Sequence, residues 1–447
     1  MLWRHLWPAR ALAAAGLLTC SMLGASAAGE PDEPIPGPDS ATETVKVLAA
    51  EKAGMLAVEI RGQGQDRVRV SLKNTSAKRL NVVLPPGLVA SSAVGQAGAA
   101  GGAGGPLQSM GQGAATNRPG GFGAFAGAPT DPGFRSVPAV DPTSVTVPAG
   151  QKVDLDVPAV CLNYGLPTPT SRNRFRLVDV DDYSKNVRVR KALRALATLG
   201  TSQGTAQAAM WRVCNDVPFE QMLARGDKLV NATEIALAAR FLDALDQSAD
   251  AVDPAYLSEA RVFVSVEGGA TTAKDAKRLA SAMDGLRILG LPARVIAPNE
   301  VPQAAAPALH LGITLSAGPS GETRGRIVVR SAAGLGDAEW TTLGQASFKD
   351  ASAASAIDAA SLARAVDHAV GSAFVTARVA RRSTGSTTLK IENRLPFTLA
   401  HVTVKAGNSS GSPLVTIPAL GVGPGRSGLA TIPAAGGSVD RVELNGL

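Results

Sequence analysis

Val68-Arg69-Val70-Ser71-Leu72-Lys73-Asn74-Thr75-Ser76-Ala77-Lys78-Arg79-Leu80-Asn81-Val82-Val83-Leu84 alternates apolar and polar residues twice, with Asn74-Thr75-Ser76 between the two runs. Alternation of period 2 places one set of side chains on a buried face, and the Asn/Ser cluster is turn chemistry, so the stretch reads as two strands of a β domain. A strand pattern over Met55–Ile60 precedes it and Pro85-Pro86-Gly87 closes it. Ser144–Val147 and Lys152–Val157, separated by Pro148-Ala149-Gly150, continue the pattern. The C-terminus repeats the plan: Thr388–Glu392 runs into Asn393, Leu399–Lys405 returns, and Pro424-Gly425-Arg426 precedes Leu429–Pro433. Short alternating strands between turn signals predict an immunoglobulin-like β-sandwich at each end, over 44–160 and 384–447.

Working inward, the period changes. Val189, Ala192, Leu193, Leu196 and Leu199 recur at helical spacing, and Gly200 follows where a left-handed C-cap belongs. Asn231 with Glu234 three residues on is a capping-box pattern, and Ile235, Ala238, Leu242 and Leu245 make the apolar stripe of the helix it starts. Residues 161–250 are therefore expected to form a small helical subdomain. From 258 to 380 the order is strand (Arg261–Val266), helix (Ala276–Leu286), three strands (Ala293–Ile296, Leu309–Leu315, Arg326–Val329) and helix (Leu362–Ala373). That order predicts an α/β sheet with its helices on one face. The fold class expected is a β-rich, multidomain α+β chain. Ser91–Pro138 is dominated by Gly, Ala and Pro and reads as a long loop inserted in the first sandwich.

The N-terminus bears on compartment. Arg4, His5 and Arg10 precede the apolar run Ala11–Leu23, and Gly24-Ala25-Ser26-Ala27-Ala28 supplies small residues for cleavage, so 1–28 reads as a secretory signal peptide. Leu17-Leu18-Thr19-Cys20 offers the alternative of a lipoprotein signal acylated at Cys20. Gly29–Glu43, rich in Pro and acidic residues, reads as a disordered leader. No later run approaches the roughly 18 apolar residues of a membrane span. The formal charge of +7 is spread along the chain, and with aromatic residues at only 4% the stacking platforms of a nucleic-acid surface are not expected. Cysteine and histidine are too few and too scattered for a metal site, and neither a G-x-S-x-G elbow nor a P-loop occurs, so no cofactor is expected.

Two short segments carry what chemistry remains: Cys161-Leu162-Asn163-Tyr164-Gly165 and Ala206-Gln207-Ala208-Ala209-Met210-Trp211. A helix over Thr205–Asn215 puts Gln207, Trp211 and Cys214 on one face. One reading makes this helix core, with Gln207 bonded to a neighbouring backbone. A second pairs Cys161 with Cys214, the two cysteines left once a signal is removed, in a disulfide worth about 4 kcal/mol by chain entropy. A third rests on resemblance. Ala206–Trp211 resembles the T-Q-x-A-(I/V)-W signature of bacterial Cys-Gln thioester domains, and Cys161–Gly165 resembles that family's cysteine strand. The resemblance covers residues 155–220. It implies Cys161 as thiol, Gln207 as acyl donor, Trp211 as a wall against water, and a covalent adhesin that captures surface amines. Gln207 and Cys214 stand roughly 10 Å apart along a helix, so Cys161 can serve only one of them. The expectation is a non-enzymatic bacterial protein, secreted to the periplasm or beyond, that binds an unknown protein or envelope component, without an integral membrane segment. The alternative is the thioester adhesin.

Overall fold

The computed structural model describes residues 42–92, 108–113, 143–199, 201–225, 230–247, 261–304, 307–319, 322–332, 339–350, 359–407, 414–417, 421–433 and 438–445. The expected signal peptide, with Cys20, and the expected leader up to residue 41 lie outside them. Glu43, expected to close the leader, instead begins a strand.

The first region holds β1 (Glu43–Lys46), α1 (Val47–Lys52), β2 (Leu56–Gly62), β3 (Arg67–Asn74), β4 (Leu80–Leu84), β5 (Leu88–Ser91), β6 (Met110–Gln112), β7 (Thr143–Val147), β8 (Lys152–Cys161) and β9 (Arg174–Asp179). Strands β2-β3-β8-β6-β5-β9 close into a barrel, and β1-β4-β7 form a three-stranded sheet beside it. The open sandwich expected here is therefore corrected to a barrel. Three unanticipated strands make the closure, β5, β6 and β9. β6 lies inside the segment 91–138 expected to be loop, and β9 lies beyond the boundary placed at 160. β6 pairs Met110 with Cys161 on one side and with Ala90 on the other. Closure leaves β6 no free edge and buries Met110 completely. Gly111 lets the buried Leu193 pack against the strand, since a Cβ there would come within 2.5 Å of Leu193 Cδ2 and push that side chain aside. The rest of that segment, 93–107 and 114–138, lies outside the described residues.

Helices follow: α2 (Val180–Tyr183), α3 (Val187–Leu199), α4 (Gln203–Asn215), α5 (Phe219–Leu223) and α6 (Ala232–Gln247). Leu193, Leu196, Met210 and Phe241 are buried at their centre, and Val160 and Leu162 of the barrel wall join the same core. The α/β region holds β10 (Arg261–Gly268), α7 (Ala273–Met283), β11 (Arg287–Ile288), β12 (Leu291–Val295), β13 (Ala308–Ala317), β14 (Thr323–Ala332), β15 (Thr341–Asp350) and α8 (Ala359–Phe374). Its sheet runs β11-β12-β10-β13-β14-β15, parallel through β12-β10-β13 and antiparallel beyond. Val262, Val264, Leu311, Ile313, Ile327 and Val329 face α7 and α8 in one core, so the helices pack on one face, as the sequence order predicts. Strand β15 went unread because Thr341–Asp350 alternates weakly and carries two small residues, Gly344 and Ala346.

The C-terminal strands are β16 (Val375–Ser383), β17 (Ser386–Asn393), β18 (Thr398–Lys405), β19 (Leu414–Ile417), β20 (Ser427–Pro433) and β21 (Val439–Asn445). They form two three-stranded sheets, β16-β17-β20 and β19-β18-β21. The repeat read from the sequence has a counterpart in hydrogen bonds. Asn74 Oδ1 accepts from Ser76 N at 2.9 Å, and its Nδ2 donates to the carbonyls of Lys78 and Val147. Asn393 Oδ1 accepts from Leu395 N at 2.9 Å, and its Nδ2 donates to Phe397 and Val422. Each asparagine's own N–H donates to the residue just before the next paired strand, Gln151 or Arg426. Both side chains are buried, so each amide stands in for backbone partners the turn removes.

Candidate functional site

Strand β8 runs between two cores, and its alternation divides the residues around Cys161. Ala159 and Cys161 point into the barrel, whereas Val160 and Leu162 point to the helices. On one side of β8 the barrel ladder continues through β6, where Leu162 N donates to Ser109 O at 2.9 Å. On the other side β3 ends at Arg67, opposite Pro158, and its last contribution is Asp66 O accepting from Ala159 N at 2.8 Å. Beyond that point the edge of β8 presents Ala159 O and both backbone groups of Cys161.

Helix α4 supplies their partners. Ser202 caps it, its hydroxyl accepting from Thr205 N at 3.3 Å. One turn apart, Gln203 and Gln207 then face the strand edge. Gln203 Nε2 donates to Ala159 O at 3.0 Å. Gln207 Oε1 accepts from Cys161 N, and its Nε2 donates to Cys161 O, both at 2.8 Å. The Gln207 amide thus continues the ladder where β3 stops. Unpaired, those buried backbone groups would cost about 1–3 kcal/mol each.

The thiol is elsewhere. Cys161 Sγ lies 3.5 Å from Gln65 O and 3.6 Å from Met110 Sδ, inside the barrel. Burial, with the Asp66 charge adding to it, pushes the thiol up to about 12. Cys214, half-buried against the helical core, is also pushed up to about 12 by burial. Both cysteines are free thiols in separate cores. The expected Cys161–Cys214 disulfide is therefore not formed here, because the parity of β8 sends Cys161 away from the helices. Gln207 and Trp211 are buried on the expected face, and the helix begins two residues earlier than Thr205. Trp211 meets Tyr164 edge to face at 5.1 Å, and the Arg225 guanidinium lies 4.6 Å above the Tyr164 ring. Asn215 Oδ1 accepts from Tyr164 N at 3.0 Å, tying the end of α4 to the loop after Cys161.

Two features escaped the sequence reading. Glu234, read as a capping residue, does accept from Asn231 N at 3.0 Å, but its fully buried carboxylate also receives Arg426 in a bidentate pair, Nη2 at 2.7 Å and Nε at 3.1 Å. Gly204 and Gly423 make room for it, since a Cβ on Gly204 would collide with that carboxylate. Nothing in the sequence links 234 to 426. The second is a buried pair on neighbouring strands, Ser265 Oγ and His310 Nε2 at 3.0 Å, with the Trp340 ring edge-on to the imidazole at 5.8 Å. Burial and the charge of Arg330 hold His310 below its usual range. Among the described residues no group of three or more His, Cys, Asp or Glu side chains is placed to hold a metal ion. No helix among them is long and apolar enough to cross a membrane. No protein-family model matches the chain, and no curated protein matches it.

Proposed function

We propose that this chain is an exported, non-enzymatic interaction protein of the bacterial envelope or extracellular space, working through its sheet surfaces. The observation that carries the reading is the use of Gln207: its amide is spent on the backbone of Cys161, and the thiol is sealed in the barrel. The segment richest in chemical potential thereby serves to join a barrel to a helical core. Fractionation of cells expressing the full chain tests it. A mature protein outside the cytoplasm beginning near Ala28 or Gly29 is expected, and a chain retained inside with its N-terminus intact overturns it. An acylated N-terminus at Cys20 would place it on a lipid anchor instead.

A second reading, the thioester adhesin, is favoured by one observation: both polar atoms of the Gln207 amide bond to Cys161. Here the Cys161 thiol would attack the Gln207 amide carbon, release ammonia, and leave a thioester open to amines. Intact mass separates the readings. A chain lighter by one ammonia, and charged by methylamine, supports the adhesin, whereas full mass without methylamine uptake supports the first reading.

A further inference from the structure

Among the described residues the six-stranded sheet has helices packed on one face, and the pairing registers define what its other face carries. Phe263 pairs with Arg294 and His310, His310 with Arg330, Thr314 with Arg326, and Ser316 with Arg324. Arg326 pairs onward with Ser347, and Arg324 with Lys349. Since Val264, Ile313 and Ile327 point to the helices, Arg294, Arg324, Arg326, Arg330 and Lys349 all share the opposite face. Arg294, Arg326, Arg330 and Lys349 are exposed. Among the described strand residues the exposed acid on that face is Glu267, exposed Glu339 adjoins Trp340, and Glu322 at the sheet's end pairs with Arg324. Arg326 is held by a neutral partner: Gln345 Oε1 accepts from its Nε at 3.1 Å and its Nη2 at 2.8 Å. That holds the guanidinium against β15 without neutralising it.

We propose that this face binds an acidic polysaccharide, with the β14 arginines receiving its carboxylates. The inference rests on the interaction-protein reading and names the partner's chemistry. Guanidinium groups bind planar carboxylates through paired N–H donors, and on β14 Arg324 and Arg326 stand about 6.6 Å apart along the strand with Arg330 about 13 Å beyond Arg326, a row of cations rather than a point charge. Between them the face carries hydroxyl groups, Thr314, Ser316 and Ser347, suited to sugar hydroxyls. A nucleic acid fits less well. Single strands are held by bases stacked on aromatic rings, and here Phe263 is buried and Trp340 packs edge-on against Phe263 and His310, so neither presents an open face among the arginines.

The test uses the full mature chain, with polygalacturonate as the probe and a single-stranded oligonucleotide beside it, at physiological salt. Affinity electrophoresis should show polygalacturonate retarding the wild type. The double variant Arg326→Gln with Arg330→Gln should lose at least about tenfold in affinity, since each substitution removes a charge-assisted contact to the ligand and tenfold is about 1.4 kcal/mol. A control, Arg378→Gln with Arg381→Gln on β16, removes the same charge elsewhere and should bind as wild type. Should the double variant misfold by circular dichroism, Arg330→Gln alone gives the comparison. Absent polygalacturonate binding, equal binding by the β14 variant, equal loss in the control, or tighter binding of the oligonucleotide each overturns the proposal. Export and intact mass are independent of this result, so a negative outcome in an exported chain removes the ligand and leaves the interaction reading standing.

Discussion

Replacing Gln207 by alanine removes the amide that pairs with Cys161 and leaves a buried N–H and C=O on β8 without partners. At about 1–3 kcal/mol for each group, the cost is roughly 2–6 kcal/mol for the barrel–helix junction. Cys161→Ala leaves both backbone bonds in place and deletes only a thiol from the barrel, a small cavity of the kind that costs about 1 kcal/mol. The two substitutions therefore separate the junction from the thioester, where thiol and amide form one bond and losing either loses the same link. A chain of several regions does not unfold in one step, so the probe must be local. Trp211 fluorescence in a Trp340→Phe background of a chain starting at Gly29 reports the junction, because the two tryptophans after residue 28 are Trp211 and Trp340. Gln207→Ala should lower the urea midpoint of that signal sharply and Cys161→Ala only slightly. Equal shifts from both, or a Gln207→Ala midpoint within error of wild type, would refute the ladder argument.

Asp367 on α8 is buried and accepts from Leu289 N at 2.8 Å, holding a turn in which Leu289 itself has a left-handed φ of 53°. Burial raises its carboxyl from the ordinary 3.8 to about 6. The folded state thus binds the proton more tightly, and this group's contribution is full below pH 3.8 and falls as pH rises to about 6. Complete loss is at most about 3 kcal/mol. Asp367→Asn keeps the acceptor, and melts across pH 4–8 should show that slope flattened and the variant more stable at pH 7.5. Native thiol titration should find both cysteines inert at neutral pH and reactive after unfolding, since each lies near 12. Fast modification of native Cys161 would contradict its place in the barrel. Excising 93–107 and 114–138 with short linkers should leave the barrel's melting within a few degrees, as loop length costs little. Removing Gln108–Gly113 as well should unfold it, because β6 closes the barrel.

Strong local periodicity made most of the fold legible. The strands on either side of Asn74 and Asn393, the stripe of α3, and the Asn231–Glu234 cap each declare themselves within a dozen residues. Barrel closure depends on Met110-Gly111-Gln112, three residues in a Gly/Ala-rich stretch whose role comes from neighbours at 90 and 161 rather than from their own pattern. The Glu234–Arg426 pair and the arginine face are invisible for the same reason. The face takes Arg324, Arg326 and Arg330 from alternate positions of β14, broken by Val328, and adds Arg294, in register with Arg330 but 36 residues before it, and Lys349, in register with Arg324 but 25 residues after it, so no run of charge marks it. At the candidate site, residue identity was readable and direction was not: Gln207 bonded to a neighbouring backbone was among the readings, while the partner of Cys161 turned on strand parity.

That parity decides the chemistry around Cys161. Side chains of a strand alternate, so the thiol at 161 shares the barrel interior with Ala159, and the helices receive Val160 and Leu162. A slip of β8 by one residue would turn Cys161 toward α4, and with it Val160 and Leu162 into the barrel and Ala159 out of it. The helical core would lose two large apolar side chains at about 1.5–3 kcal/mol each, and the ladders to β3 and β6 would have to re-register together. The Gln207 amide opposes the slip directly, because its two bonds accept only the residue whose N–H and C=O face the edge left by β3. The glutamine that a thioester would consume is thus the group that holds the cysteine's side chain on the far side of the strand.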